Sequence, residues 1–88
     1  MREYTVILMP EPEGAYTVIV PALEGCVTFG HNLTEALAMA EDAIECHLLS
    51  LRKHGKNAPP DVEIVPVQLE GRTEAFVRRI AAKEPAVA

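Results

Sequence analysis

The stretch from Asn32 to Gly55 constrains this chain most, because it reads as one long helix with a single apolar side. Asn32 is placed to accept a hydrogen bond from the free amides of a first turn, and Glu35, three residues on, can reach back to the Asn32 amide as in a capping box. Leu37, Ala40, Ile44, Leu48 and Leu51 then recur at helical spacing, while Glu41, Asp42, Glu45, Arg52 and Lys53 fall mainly on other sides. Arg52, Lys53 and His54 sit where the helix dipole favours positive charge, and Gly55 can take the left-handed conformation that ends the helix. A rod of this kind needs a sheet beneath it.

The flanking residues supply one. Glu3 to Met9 alternates and is rich in strand formers, Pro10, Pro12 and Gly14 punctuate the next residues, and Ala15 to Val20 resumes strand composition. Pro21 and Gly25 make a further turn before a short strand from Cys26 to Phe29 that stops at Gly30. Past the helix, Gly55 to Pro60 is turn-rich, and Val62, Ile64, Val65 and Val67 read as a fourth strand, apolar on both faces. A right-handed crossover would lay that strand beside the first and parallel to it. The expectation is an α+β, β-β-β-α-β fold, a mixed four-stranded sheet covered by one long helix. In Glu74 to Lys83, Phe76, Val77, Ile80 and Ala81 form a narrow stripe that reads as a short C-terminal helix. Residues 1–70 then make the main domain, and 71–88 the short helix with a tail that frays from Glu84. The sheet face away from the long helix needs burial by the C-terminal helix or by another copy of the chain.

Size and charge narrow the function. A chain of 88 residues buries only about 60 to 65% of its unfolded surface, so self-association as a dimer or tetramer is expected. With 13 acidic against 8 basic residues and a formal charge of −5, its field repels phosphate backbones. No apolar run is long enough to cross a bilayer, and the first residues lead directly into a strand, so a cytoplasmic protein without a membrane partner is expected.

Catalytic arrangements find little support. Cys26 and Cys46 are too few and too far apart for a disulfide framework and read as buried, inert thiols. Combined with His31 and His47 they lack zinc-site spacing. Glu41, Asp42 and Glu45 read as a solvated helix face, and Glu3, Asp61 and Glu63 do not supply the converging acids of two-metal hydrolysis. No catalytic, cofactor-binding or metal-binding residue is assigned, and an enzyme is not expected. Arg72, Arg78, Arg79 and Lys83 form the one basic concentration, suited to a protein partner rather than nucleic acid.

The run Tyr16-x-Val18-x-Val20-Pro21-x-Leu23-x-Gly25-Cys26-x-Thr28-x-Gly30, then Leu33-x-Glu35-Ala36 and the Gly55 to Pro60 loop, resembles the HicB-like antitoxins, formerly grouped as an uncharacterised protein family. The resemblance spans roughly Tyr4 to Val67, with Pro21, Gly25, Cys26, Gly30, Asn32 and Glu35 as its structural motif. It implies a partial ribonuclease H-like fold and a type II toxin-antitoxin role, in which the domain binds and occludes a small RNA-cleaving toxin of the HicA type without catalysis. Where the family commonly has an acidic residue and then a threonine after the motif glycine, this chain has His31 and Asn32. His31, Arg72, Arg78 and Arg79 are the candidate partner-binding residues. Complete family members usually carry a DNA-binding segment after the fourth strand. Here Val65 to Leu69 and Glu74 to Lys83 look only a little like the start of a ribbon-helix-helix unit, and Pro66 removes a strand donor, so autonomous operator binding is not expected. The alternative is an orphan oligomeric scaffold or adaptor of the same fold.

Overall fold

A computed structural model describes residues 2–85 of the chain. The alternating N-terminal run forms β1 (Arg2–Pro10), joined through a 3-10 turn at Pro12–Gly14 to β2 (Tyr16–Ile19), then β3 (Val27–Gly30). The long helix is α1 (Leu33–Lys53), and a last strand, β4 (Phe76–Ala82), completes a four-stranded sheet of order β3-β2-β1-β4. The α+β class and the β-β-β-α-β order are as expected.

The helix follows its sequence closely. Asn32 accepts from the Glu35 amide at 2.8 Å. At the far end Gly55, at φ 69°, lets its own N–H reach the Arg52 carbonyl and the Lys56 N–H reach the Leu51 carbonyl, which closes a Schellman motif. Ala36, Ala40, Ile44 and Leu48 are buried against Tyr4, Val6 and Leu8 of β1, Val18 of β2 and Ile80 and Ala82 of β4. Burying an aliphatic side chain such as Ile44 or Val6 contributes about 1.5–3 kcal/mol. The Glu35 carboxylate does not close the expected box; it meets His31 Nδ1 at 3.0 Å.

The Pro21 to Gly30 motif has a mechanical reading. Leu23 N–H donates to the Val20 carbonyl and Cys26 N–H to the Leu23 carbonyl, so two β-turns follow one another. Pro21 sits at the second position of the first turn, and Gly25, at φ 77°, at the third position of the second. Leu23, between them, is driven into the core at 1% exposure. Gly30 lets the first turn of α1 touch the sheet: a Cβ there would lie 2.3 Å from the Ala36 backbone nitrogen.

The region after the helix departs from expectation. Residues 62–67 are not a strand, and the sheet is antiparallel throughout rather than mixed. The segment between His54 and Ala75 is instead a strap without regular structure that travels parallel to β1, meeting its edge at Thr5 and then crossing its face. Its contacts advance in step with β1: the Tyr4 hydroxyl donates to the Pro59 carbonyl at 2.6 Å, Asp61 takes Thr5, Pro66 and Gln68 lie by Ile7 and Met9, and Arg72 reaches the Pro10 carbonyl. Pro59, Pro60 and Pro66 deprive the strap of ladder donors. It covers the middle of the face expected to need a second helix, and Thr5, Ile7 and Met9 are buried.

The short C-terminal helix expected over Glu74 to Lys83 is likewise replaced, because most of that stretch is β4. Phe76 to Ala82 pairs antiparallel with β1, from Leu8 opposite Phe76 to Arg2 opposite Ala82. Phe76, Arg78, Ile80 and Ala82 share the helix side of the sheet, so a set that scored as a helical stripe also satisfies a period of two. Of the tail expected to fray, Glu84 pairs with Arg2 at 2.9 Å, Arg52 donates to the Pro85 carbonyl, and 86–88 lie outside the described residues.

Asp61 closes the strap onto the sheet. β2 stops short of Thr5, whose N–H and hydroxyl donate to the two Asp61 carboxylate oxygens at 2.9 and 2.7 Å. Burial alone would raise this carboxyl, but the Thr5 amide and hydroxyl, the Val62 amide and the nearby Arg79 together hold it below the usual aspartate value. Its stabilisation is therefore complete above the unfolded value of about 4 and is lost as pH falls through the lower folded value. Asp61→Ala should cost about 2–3 kcal/mol at neutral pH, and in urea titrations the gap to wild type should narrow below about pH 4. Gly30→Ala should cost about 1–3 kcal/mol or more by the same measurement, since Ala36 backbone must retreat.

Candidate functional site

The sheet has two edges of opposite chemistry, and each carries exposed apolar side chains. Along β4, Phe76 is 46% and Val77 53% exposed, and Arg78 and Arg79 are exposed between them and Ile80. Along β3, Val27 is 58% and Phe29 44% exposed, with no charge in the strand.

Near β4 the helix does not fully cover the sheet. Leu33 at the start of α1, Leu8, Tyr16, Phe76 and Val77 enclose an apolar cleft of about 260 Å³ with Arg78 at its rim. Arg78 also borders a neighbouring cleft of about 210 Å³ with Leu37 and Glu41. Apolar walls with one cation at the lip suit a partner's apolar side chain flanked by a carboxylate or carbonyl.

Of the basic residues expected to act together, Arg78 and Arg79 line one cleft beside α1, and the others are dispersed. Arg72 is built into the fold: its guanidinium meets Glu11 at 2.6 Å and the Pro10 carbonyl at 3.3 Å. Glu11 accepts in turn from the Thr17 hydroxyl at 2.7 Å, and these two bonds, Thr17 first, hold its carboxyl below the usual glutamate value. Arg79 lies on the strap side of β4, 3.4 Å from Glu3 and 3.9 Å from Asp61. Lys83 follows β4, its backbone N–H donating to Glu45. His31 is at the opposite edge, its ring edge-on to Phe29 with centroids 5.3 Å apart, and its hydrogen bond holds the Glu35 carboxyl below the ordinary value. Phe76, read in a helical stripe, and Leu33, read in the motif run, were not expected as site residues; a β-strand assignment for residues 76–82 would have aligned Phe76 with Leu8 and revealed the cleft.

Acid groups do not converge. Glu41, Asp42 and Glu45 lie on α1, Glu3 and Asp61 on or beside the sheet, and among the described residues no three His, Cys, Asp or Glu side chains are grouped to hold a metal ion. A cleft of about 280 Å³ at the end of α1 is lined by Arg2, Arg52 and Lys56, but Arg2 is neutralised by Glu84 and Arg52 is spent on the Pro85 carbonyl. No helix among the described residues is long and apolar enough to cross a membrane.

Comparison with known proteins decides what this arrangement belongs to. The family model described as the HicB-like antitoxin of bacterial toxin-antitoxin systems matches residues 4–84. The chain belongs to the HicB-like antitoxin family. A UPF0150 protein of Thermoplasma acidophilum is 44% identical over 59 residues, 67% of this chain and 86% of that one. The crystal structure of the N-terminal domain of the Burkholderia pseudomallei antitoxin HicB has the same fold, with TM-score 0.67, 18% identity, and 92% of this chain and 98% of that one covered. So does a chain of a HicA3 and HicB3 toxin-antitoxin complex, at TM-score 0.71, 20% identity, and the same 92% and 98% coverage. The match to residue 84 includes β4, so in this HicB-like chain the last strand is integral to the family domain.

The motif cysteine and the helix cysteine separate chemically. Cys26 is buried, and burial pushes its thiol up, whereas Cys46, expected in the core, is exposed on α1. Titration with a thiol-reactive disulfide reagent should modify Cys46 promptly in the folded protein and Cys26 only at the rate of unfolding.

Proposed function

We propose that this chain is a non-catalytic antitoxin-like module that self-associates and covers a HicA-type RNA-cleaving toxin, blocking its substrate groove by occlusion. Family membership supports the toxin-antitoxin setting. The observation that carries the reading is the cleft between the start of α1 and β4, in which Leu8, Tyr16, Leu33 and Phe76 leave apolar surface open beside Arg78. No reacting group lines it. An aromatic and an aliphatic residue held on rigid elements are the kind of anchor around which a standard interface of about 1,200–2,000 Å² forms. The formal charge of −5 steers a basic partner toward the domain, while the apolar cleft supplies the affinity.

Phe76→Ala combined with Arg78→Glu tests this. Both side chains are exposed, so the melting temperature should hold, while affinity for a HicA-type toxin from the same genome falls about ten-fold or more, which is at least ~1.4 kcal/mol. The variant should also lose inhibition of toxin-catalysed RNA cleavage. Unchanged affinity removes the cleft from the mechanism. A wild-type chain that neither binds nor inhibits such a toxin returns the protein to the scaffold reading.

A further inference from the structure

We infer that the β3 edge is a self-pairing site, through which two copies of the chain join β3 to β3 antiparallel about a two-fold axis at Thr28 to make one eight-stranded sheet. It rests on the self-association proposed above and gives it a surface.

The backbone register requires that edge to be unsatisfied in a single chain. Val20 N–H donates to the Cys26 carbonyl, and Val18 lies opposite Thr28, so Cys26, Thr28 and Gly30 turn their backbone groups toward β2. The N–H and C=O groups of Val27 and Phe29 therefore point outward. In a two-fold antiparallel pairing centred on Thr28, Val27 faces Phe29 of the partner subunit, and the reverse, and these two residue pairs exchange four backbone hydrogen bonds. Their side chains meet on the face away from α1 as two aromatic–β-branched cross-strand pairs. His31, edge-on to Phe29, holds that ring in place.

Charge selects this edge over the other. β4 turns Val77, Arg79 and Ala81 outward by the same register argument, and the pairing that would use its full length centres on Arg79 and sets two guanidinium groups opposite each other. The helix repeats the asymmetry. Glu45 accepts from the Lys83 backbone and Glu41 lies by Arg78, so the charged flank of α1 faces β4. The opposite flank, toward β3, presents Met39, Ala43, Cys46 and Ser50, uncharged along its middle, with the Glu35 carboxylate bonded to His31 at its start. A four-residue strand is a small interface alone, and these flanks extend it where two copies meet. The partner is thus a second copy: its matching register, neutral edge and the uncharged middle of its helix flank are all supplied by the same sequence.

Sedimentation velocity over a concentration series tests the pairing. Wild type should reach an even multiple of the chain mass. Val27→Lys with Phe29→Lys places lysines opposite one another and should weaken assembly about ten-fold or more, halving the particle. Val27→Lys with Phe29→Glu places opposite charges across each pair and should restore it. Amide hydrogen exchange on wild type gives a reading independent of the variants, with the Val27 and Phe29 amides protected as concentration rises. A monomeric wild type sinks self-association as a whole. An assembled double-lysine variant, a folded lysine–glutamate variant that stays monomeric, or unprotected Val27 and Phe29 amides in an assembled wild type each overturn the β3 pairing alone.

Discussion

The structure depends on how β1 is satisfied along its whole length. β2 pairs only with Ile7 to Pro10, and the residue that would come opposite Thr5 is Pro21, which has no N–H to give and already begins the double turn into β3. The open backbone at Thr5 sits beside buried Tyr4 and Val6, where an unpaired amide would be costly. Asp61 fills the position of the missing strand with a bidentate carboxylate, and in doing so starts the strap at one end of β1. Arg72, through Glu11 and the Pro10 carbonyl, fastens the other end. Between these two polar fixings the strap needs no ladder of its own. It acts as the second cover of the sheet and delivers the chain to the start of β4.

That arrangement explains which parts of the fold were legible in the sequence. The helix, its Asn32 cap, its Gly55 stop and the three-strand meander all rest on local signals within a few residues, and they stand where those signals put them. The strap and β4 rest on partners far along the chain. Residues 62–67 have strand composition and do run parallel to β1, but three prolines and the Asp61 anchor lay them on the face, leaving Ile64 at 84% exposure. Phe76, Val77, Ile80 and Ala81 fit a helical stripe as well as an alternating one, and the free edge of β1 chose between them. No window of local sequence contains that edge.

The same distinction governs the candidate site. Pro21, Gly25 and Gly30 announce themselves because their roles, two turns and a close backbone approach, are conformational and local. Arg72, Arg78 and Arg79 cluster in sequence, yet β4 sends neighbours to opposite faces and Glu11 withdraws Arg72 into the scaffold. Their grouping in the chain survives on the surface only in part: Arg78 and Arg79 line one cleft beside α1, and Arg72 is tied elsewhere. Cys46 similarly sits in an apolar-looking stretch, but its helical angle turns it away from the sheet. The cleft by Leu33 and Phe76 joins residues more than forty positions apart and only exists once β4 is placed.

The two edges of the sheet then give the proposed toxin and the proposed second copy separate places to dock. An edge strand must be blocked or used, because its outward N–H and C=O groups remain available to any extended chain. β4 is blocked by Arg79 at the centre of its self-pairing register while its helix side keeps the Phe76 cleft open, which suits a partner recognised by side chains rather than by strand addition. β3 has no such guard: its outward residues are valine and phenylalanine, and the middle of the helix flank above it is uncharged. Pairing β3 with β3 would bury the edge most prone to unspecific association and leave both β4 clefts at the outer ends of the joined sheet, facing away from each other. On the proposed function, two toxins could then be held without competing for space, and the charges of α1 would stay on the flank beside the proposed toxin cleft.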